Sequence, residues 1–457
     1  MDPLDLRTPK RIHIVGIGGA GMSAIALVLR AMGHTVSGSD LKDSPVAVRL
    51  RSQGVAVAVG HRVDNVGEVD AVTYSPAVAL GNPEIVGAAT RGARVIPRSG
   101  MLAAICATRR CLAVAGTHGK TTTASMLALI LVEAGLRPSF LIGADVNEIG
   151  TNAVWDSGDW LVVEADESYG TFQALHPDVA VLTNVEADHL DFYGTFEELL
   201  AAFGAFVADA TDGVVVSSDD LHAAAIGLAH GADSVGTTTG ATYAMTDVVQ
   251  NRSSVAFTLG GPDGDLGVLR IGVPGLHNAS NAAVAAVAAL KAGAPFTAAQ
   301  SALARFAGVP RRFEFRGESN GVTFVDDYAH LPTEVRAALA TARSGGWSRV
   351  IAVFQPHRFS RTASLADQFG AAFADADALV VTDVYSAGEP PVPGVSGRLV
   401  ADAVRKQDPR LEVTYAPGWD ELGRIVSALL RPGDLCLTLG AGDLTALPDE
   451  LLASPAW

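Results

Sequence analysis

Three strand–loop–helix starts, near residues 12, 111 and 323, predict an α/β protein built of three units. Short apolar runs alternate with amphipathic stretches along the chain, the pattern of parallel sheets covered by helices. Its 457 residues, 49% hydrophobic, suffice for two to four domains with full-sized cores and exclude wholesale disorder.

The elements follow in order. RIHIVGI reads as a strand, MSAIALVLRAMG as a helix and HTVSGSD as a second strand, continued by AVAVG, DAVTYSP and ARVIP. CLAV opens a second unit, followed by WLVVEAD, VAVLTNV and GVVVSS. Residues 235–275 lack long helical periodicity and are expected to form an antiparallel insertion or a sheet extension. After GVPRRFEF the alternation resumes with VTFVDDYAH, a helix from Pro332, RVIAVFQPH, ALVVTDVYSAG, LEVTYAP and DLCLTLGAG.

Charge and cysteine usage narrow the function. With 33 Lys and Arg against 49 Asp and Glu, the net charge of −16 argues against nucleic acid, whose phosphates need many cations. Small anions stay open, because a helix N-terminus can hold them. Cys106, Cys111 and Cys436 are too few for a disulfide framework, which points to a reducing cytoplasm. The uncharged stretches 12–29 and 271–290 contain glycine, proline, histidine or asparagine and read as ligand loops entering helices, not membrane spans. MDPLDLRTPK carries no secretory pattern, so no membrane insertion is expected.

Two glycine loops carry the chemistry. Gly16-Ile17-Gly18-Gly19-Ala20-Gly21 fits G-x-G-x-x-G between a strand and a helix, where backbone can approach a diphosphate at a helix N-terminus. Asp40 ends the next strand, 19 residues beyond Gly21, placed for a ribose hydroxyl. The fingerprint by itself fits NAD or a UDP-sugar. In the second loop, Gly116-Thr117-His118-Gly119-Lys120-Thr121-Thr122, the amides would cradle phosphates, Lys120 would reach the β and γ oxygens and Thr121 would ligate Mg2+. Val114 stands where the strict phosphate-loop pattern needs its first glycine. Downstream strand ends supply Glu164, Asp166 and Glu167, then Glu186, Asp188, His189 and Asp191, at the sheet edge where ligands collect.

The order GIGGAGMS, GTHGKTTT, EADES, TNVEADH, GLHNASNAAVA, GVPRRFEF, DDYAH and FQPHRFSRT resembles the Mur ligase family, from residue 16 to beyond 390. The resemblance implies three domains: a Rossmann-like UDP-sugar domain (1–106), a central P-loop ATPase-like domain (107–311) and a Rossmann-like amino-acid domain (312–457). It implies ATP-driven joining of L-alanine to the carboxylate of UDP-N-acetylmuramate through an acyl phosphate, in peptidoglycan precursor synthesis, with Mg2+ or Mn2+; oligomeric state is left open. By likeness, Thr121, Glu164 and His189 hold metal, and Asn278, Asn281 and Arg312 join the phosphate loop around the nucleotide. Gly18, Gly19, Ala20, Gly21, Asp40, Ser75 and Arg98 would take the UDP-sugar. His330, Arg358 and Arg361 would serve the reacting centre, with Tyr328, Arg358 and Arg361 on the amino acid and Tyr385, Ser386 and Glu389 bordering its pocket. Arg311 reads as an ordinary surface charge. The chain departs from the family in three places: Gly204 stands where some relatives carry a carbamylated lysine, Leu331 where a second histidine is usual, and Tyr169 where a further aspartate is usual.

Overall fold

A computed structural model describes residues 4–453. Its first sheet holds β1 (Arg11–Val15), β2 (Thr35–Asp40), β3 (Ala56–Val59), β4 (Ala71–Tyr74) and β5 (Arg94–Pro97), all parallel in the order β3-β2-β1-β4-β5. The chain passes to opposite sides of β1, so the loop leaving β1 lies at the point where strand order reverses. Such a point opens a crevice at the carboxyl ends of the strands.

The second sheet contains β6 (Arg110–Ala115), β7 (Ser139–Val146), β8 (Thr151–Val154), β9 (Trp160–Glu164), β10 (Val179–Leu182), β11 (Gly213–Ser217), β12 (Asp233–Gly236), β13 (Tyr243–Asn251), β14 (Ser254–Gly261) and β15 (Gly264–Ile271). Their order is β15-β14-β13-β12-β11-β10-β6-β9-β7-β8. β6 lies between β9 and β10, which places the second glycine loop at a reversal as well. The 235–275 segment is a sheet extension, with β13, β14 and β15 added at one edge. Sequence reading missed the β7–β8 hairpin, because Gly143, Asp145 and Asn147 interrupt its alternation.

The third sheet holds β16 (Glu314–Ser319), β17 (Val322–Asp327), β18 (Val350–Phe354), β19 (Ala378–Val381), β20 (Glu412–Tyr415) and β21 (Leu435–Leu439), in the order β16-β17-β21-β18-β19-β20. Only the β16–β17 pair is antiparallel. Alternate residues feed two cores: Phe324, Val353, Val380 and Cys436 on one face, Val325, Phe354, Val381 and Leu437 on the other.

Packing divides the chain into two compact units. One runs to Val248 and includes Phe257–Arg270 and Ser280–Phe306; the other comprises Val249–Ala256, Ile271–Ala279 and the chain from Ala307. The first unit holds the first sheet and the body of the second, joined by one continuous core from Leu4 to Ala223. Among the described residues, no helix is long and apolar enough to cross a membrane.

A buried polar cluster under the first loop escaped sequence reading. Glu84, fully buried, accepts from Ser39 Oγ, Asn65 Nδ2 (2.5 Å) and Arg62 N (3.1 Å), with His61 Nδ1 at 3.3 Å and His13 Nε2 at 3.6 Å. Burial pushes its carboxyl up, but the neighbouring His13 imidazole and hydrogen bonds from Ser39, Asn65 and the Arg62 amide overcome this and hold it at about 2. A depressed carboxylate stabilises the fold above its ordinary value of 4.5, and the contribution is lost as pH falls toward 2. In acid titrations followed by circular dichroism, wild type should lose up to ~1.4 kcal/mol per pH unit more than Glu84→Gln across that window. Coincident acid limbs for the two proteins would refute this role.

Candidate active site

The first loop is held from behind by strand β2. The Ser39 carbonyl accepts from Gly16 N (2.9 Å) and Ile17 N (3.0 Å), and Asp40 Oδ2 accepts from Gly18 N (2.8 Å). Asp40, expected on a ribose, therefore also braces the loop. Helix Ala20–Ala31 starts from Gly19 with no side-chain cap, so the positive end of its dipole and its first amides face the loop's crevice. Ser75 Cβ and Arg98 Nη1 stand 3.0 and 3.1 Å from where side chains at Gly16 and Gly21 would begin. The structure thus gathers Asp40, Ser75 and Arg98 around this loop.

Strand β6 delivers the second loop, and two glycines make its turn possible. Gly116 (φ +133) and Gly119 (φ +78) lie in backbone regions that L side chains rarely adopt, and a Cβ on Gly116 would fall 2.1 Å from Thr183 Oγ1. The segment after β10 splints the loop. Thr183 Oγ1 donates to the His118 carbonyl (2.6 Å), and the Asn184 side chain accepts from His118 N (2.8 Å) and donates to its carbonyl (3.0 Å). His118 Nε2 also lies 3.1 Å from Glu186 Oε2. Asn281 Oδ1 stands 2.5 Å from where a Gly119 side chain would begin, so this asparagine does reach the loop. Asn278 instead donates to the Pro274 carbonyl (2.6 Å).

Lys120, the first residue of helix Lys120–Glu133, folds back on its own loop. Its Nζ donates to the carbonyls of Gly116 (2.7 Å) and Thr117 (3.2 Å) and pairs with Glu167 Oε2 at 2.7 Å. Burial disfavours its charge, yet the Glu167 and Asp166 carboxylates override that and raise its pKa, so the ammonium persists. Tyr193 ties Glu167 in turn by donating to its backbone carbonyl (2.6 Å). The sequence marked Glu167 only as one of several carboxylates; its spacing from Lys120 carries no sign of this pairing.

Glu164, at the end of β9, accepts from Thr121 Oγ1 (2.8 Å) and from Gly143 N (2.7 Å). Among the described residues, no three His, Cys, Asp or Glu side chains form a metal cluster of their own. A hydroxyl and a carboxylate side by side nevertheless fit Mg2+, which takes oxygen ligands and completes its shell with waters and phosphates. His189 sits apart from that pair, in a left-handed conformation (φ 54) before a short helix, with Nε2 3.1 Å from Ser168 Oγ. Asp166 pairs with Arg98 at 3.3 Å. A cavity of about 230 Å³, lined in part by Gly21, Arg98, Gly143, Glu164 and Asp166, joins the start of helix Ala20–Ala31 to Glu164.

The second unit carries its own polar cluster. Asp327, in the DDYAH motif, accepts from Phe313 N and Ala329 N (both 2.8 Å), and burial raises its pKa to about 6. Asp326 is bound by Thr438 (2.6 Å), Thr445 (2.7 Å) and Arg311 (3.3 Å). Arg311 is therefore no surface charge: it also donates to the carbonyls of Gly440 (2.6 Å) and Gly442 (3.1 Å), locking the turn after β21. Arg312 lies 5.1 Å over the Tyr328 ring and 3.7 Å from Glu334.

His330 meets His357 edge-on, with ring centroids 5.4 Å apart, and His357 stacks on Tyr385 at 5.8 Å. Burial first, then His330, Arg361 and Arg358, depress His357 to about 3, so its imidazole is neutral and can accept from Arg361 Nη1 (3.1 Å). Arg358 starts helix Phe359–Phe369 at φ 67, a strained conformation for a non-glycine residue, with a buried Nε that has no hydrogen-bond partner among the described residues. Two guanidinium groups one helical turn apart can grip a carboxylate. Glu389 accepts from Ser360 N (3.0 Å) and Oγ (2.7 Å). Leu331, in place of a histidine, is buried at the start of helix Pro332–Ser344, and Glu334 accepts from its amide (3.2 Å).

Two phosphate-type loops at sheet reversals, one of them with a lysine and a hydroxyl–carboxylate pair, define a nucleotide-dependent transferase or ligase. The chain belongs to the Mur ligase family: residues 11–110 match its catalytic domain, 114–289 its middle domain and 311–442 its glutamate ligase domain. It is 43% identical to the UDP-N-acetylmuramate–L-alanine ligase of Geobacter sp. (strain M21), covering 97% of each chain. It is 45% identical to the ligase of the same description from Rubrobacter xylanophilus, over 97% of this chain and 99% of that one. Among solved structures, the UDP-N-acetylmuramate-alanine ligase of Thermotoga maritima superposes with a TM-score of 0.81 at 29% identity, over 97% of this chain and 98% of that one. A murein peptide ligase from Psychrobacter arcticus reaches 0.68 at 25% identity, with the same coverage.

The Lys120 cage yields a test. Replacing Glu167 by alanine leaves a buried ammonium without its principal counter-charge and should cost ~3 kcal/mol in thermal or denaturant unfolding. Inorganic triphosphate should then raise the Tm of Glu167→Ala more than that of wild type, because it restores the missing negative charge. Equal shifts in the two proteins would contradict the cage.

Proposed function

We propose that this chain joins L-alanine to the carboxylate of UDP-N-acetylmuramate at the expense of ATP, releasing ADP and phosphate, in peptidoglycan precursor synthesis. One observation carries the reading: two helix-start glycine loops lie in one compact unit, and a cavity runs from Gly21 and Arg98 at the first to Glu164, which accepts from Thr121 beside the second. That cavity leads from a diphosphate-type loop to the phosphate loop's strand-end carboxylate, a path suited to an acid carried on a nucleotide sugar. The two alanine ligases at 43% and 45% identity over nearly the whole chain support the choice of substrates.

In this reading Gly18, Gly19, Ala20 and Gly21, with Asp40, Ser75 and Arg98, hold the UDP-sugar. The amides of residues 116–122 cradle the triphosphate, Lys120 offsets its charge, and Asn278, Asn281 and Arg312 complete the nucleotide site. Thr121 and Glu164 would hold the nucleotide's Mg2+ and His189 a second metal ion, which when bound would supply positive charge to the phosphates. The muramate carboxylate attacks the γ-phosphorus and gives an acyl phosphate; the amine of L-alanine then adds to its carbonyl and phosphate leaves. Lys120 and the start of helix Lys120–Glu133 stabilise the charge that develops in the first step. Arg358 and Arg361, with Tyr328, orient the amino acid by its carboxylate, and His330 faces the reacting centre. The domain division 1–106, 107–311 and 312–457 would give each substrate a principal domain. Three free, buried cysteines suit a reducing cytoplasm as the place of action.

Phosphate release from ATP and Mg2+ in the presence of UDP-N-acetylmuramate should be stimulated by L-alanine more than by glycine, L-serine or a murein tripeptide. No stimulation by L-alanine would sink the proposal. Lys120→Ala should lower turnover about 100-fold or more, while calorimetry shows UDP-N-acetylmuramate binding retained. Comparable loss of both would place Lys120 in the wrong site.

A further inference from the structure

Gly143 interrupts strand β7 at a place where its backbone does not need glycine. Its φ lies outside the left-handed region, unlike those of Gly116 and Gly119. The requirement is space: a Cβ here would fall 2.6 Å from Glu164 Oε2 and 3.3 Å from Glu164 Cδ. The path of the strand explains the encounter. β7 pairs with β9 only through Leu141, opposite Val163, and its pairing with β8 is broken between Leu141 and Val146. Residues 142–145 therefore bulge away from the ladder beyond the end of β9, which frees the Gly143 amide to donate to Glu164 Oε2 (2.7 Å). Thr121 Oγ1 holds the other carboxylate oxygen. Both carboxylate oxygens are thus held, and Gly143 forms part of the wall of the cavity beside them.

We infer that Gly143 is a positioning residue for Glu164: its amide aims the carboxylate at the metal-binding position, and its missing side chain leaves the cavity open there. The inference rests on the proposed function and adds a residue that the glycine loops and acidic motifs do not mark.

The test uses the full chain with Mn2+ and a non-hydrolysable ATP analogue, with bound metal followed by electron paramagnetic resonance. Gly143→Ala should weaken Mn2+ binding about tenfold or more, with UDP affinity by calorimetry unchanged. Gly423→Ala, at a helical glycine with open space around it, should change neither. The steric contact is read separately in Tm. Alanine at 143 should lower the Tm of wild type by about 3–6 °C but leave that of Glu164→Ala unchanged. If Gly143→Ala alone is too unstable to purify, Gly143→Ala with Glu164→Ala should purify like wild type. Undiminished Mn2+ affinity in Gly143→Ala, or a Tm loss that persists without Glu164, overturns the inference. Failure of wild type to bind the Mn2+–analogue complex would instead overturn the proposed function.

Discussion

An ammonium group whose side chain is only 13% exposed must be neutralised by the protein that surrounds it, and Lys120 is neutralised by Glu167, itself 2% exposed. Around this pair the phosphate loop takes its shape. The loop carbonyls of Gly116 and Thr117 accept from the same nitrogen, Tyr193 fixes Glu167 from behind, and Asp166 passes the charge alternation on to Arg98 beside the first loop. On a chain of net charge −16, attraction of anionic substrates cannot come from the overall field. It comes from a few cations held at fixed points and from helix starts that face a crevice. Any anion entering the loop competes with a carboxylate already in place, so the lysine is held at a fixed point and meets only a ligand that replaces Glu167 well.

Both glycine loops occupy the same topological position. β1 and β6 are the strands from which the chain turns to either side, and each loop is braced by a strand or segment remote in sequence: Ser39 and Asp40 behind the first, Thr183 and Asn184 behind the second. The second unit works differently. Its conspicuous acids, Asp326 and Asp327, are consumed in holding backbone amides, threonines and Arg311, while His357 is kept neutral and Arg358 is held in a strained conformation. Conspicuous residue types thus divide into those that build the site and those that serve it, and only contacts separate the two.

Much was legible along the chain. Strand, turn and helix are local, so GIGGAGMS and GTHGKTTT announced both loops, and the alternation of apolar runs announced three sheets. Arg311 was misread because a charge next to Arg312 carries no mark of burial; its partners lie some 130 residues away around Gly440 and Gly442. The β7–β8 hairpin was missed because its bulge destroys the period-two pattern that betrays a strand. Glu84, in an unremarkable helix start, gave no hint that Ser39, His61 and Asn65 converge on it.

The sequence by itself therefore determined the α/β class, the number of sheets, the two phosphate-type loops and the set of charged residues available to them, since each depends on spacing within one strand–turn–helix unit. Tertiary structure alone decided which carboxylate meets Lys120, that Asp40 braces its own loop, and that Gly143 must lack a side chain. Those outcomes depend on where distant strands end in space, and a β-bulge of a few residues is enough to move them.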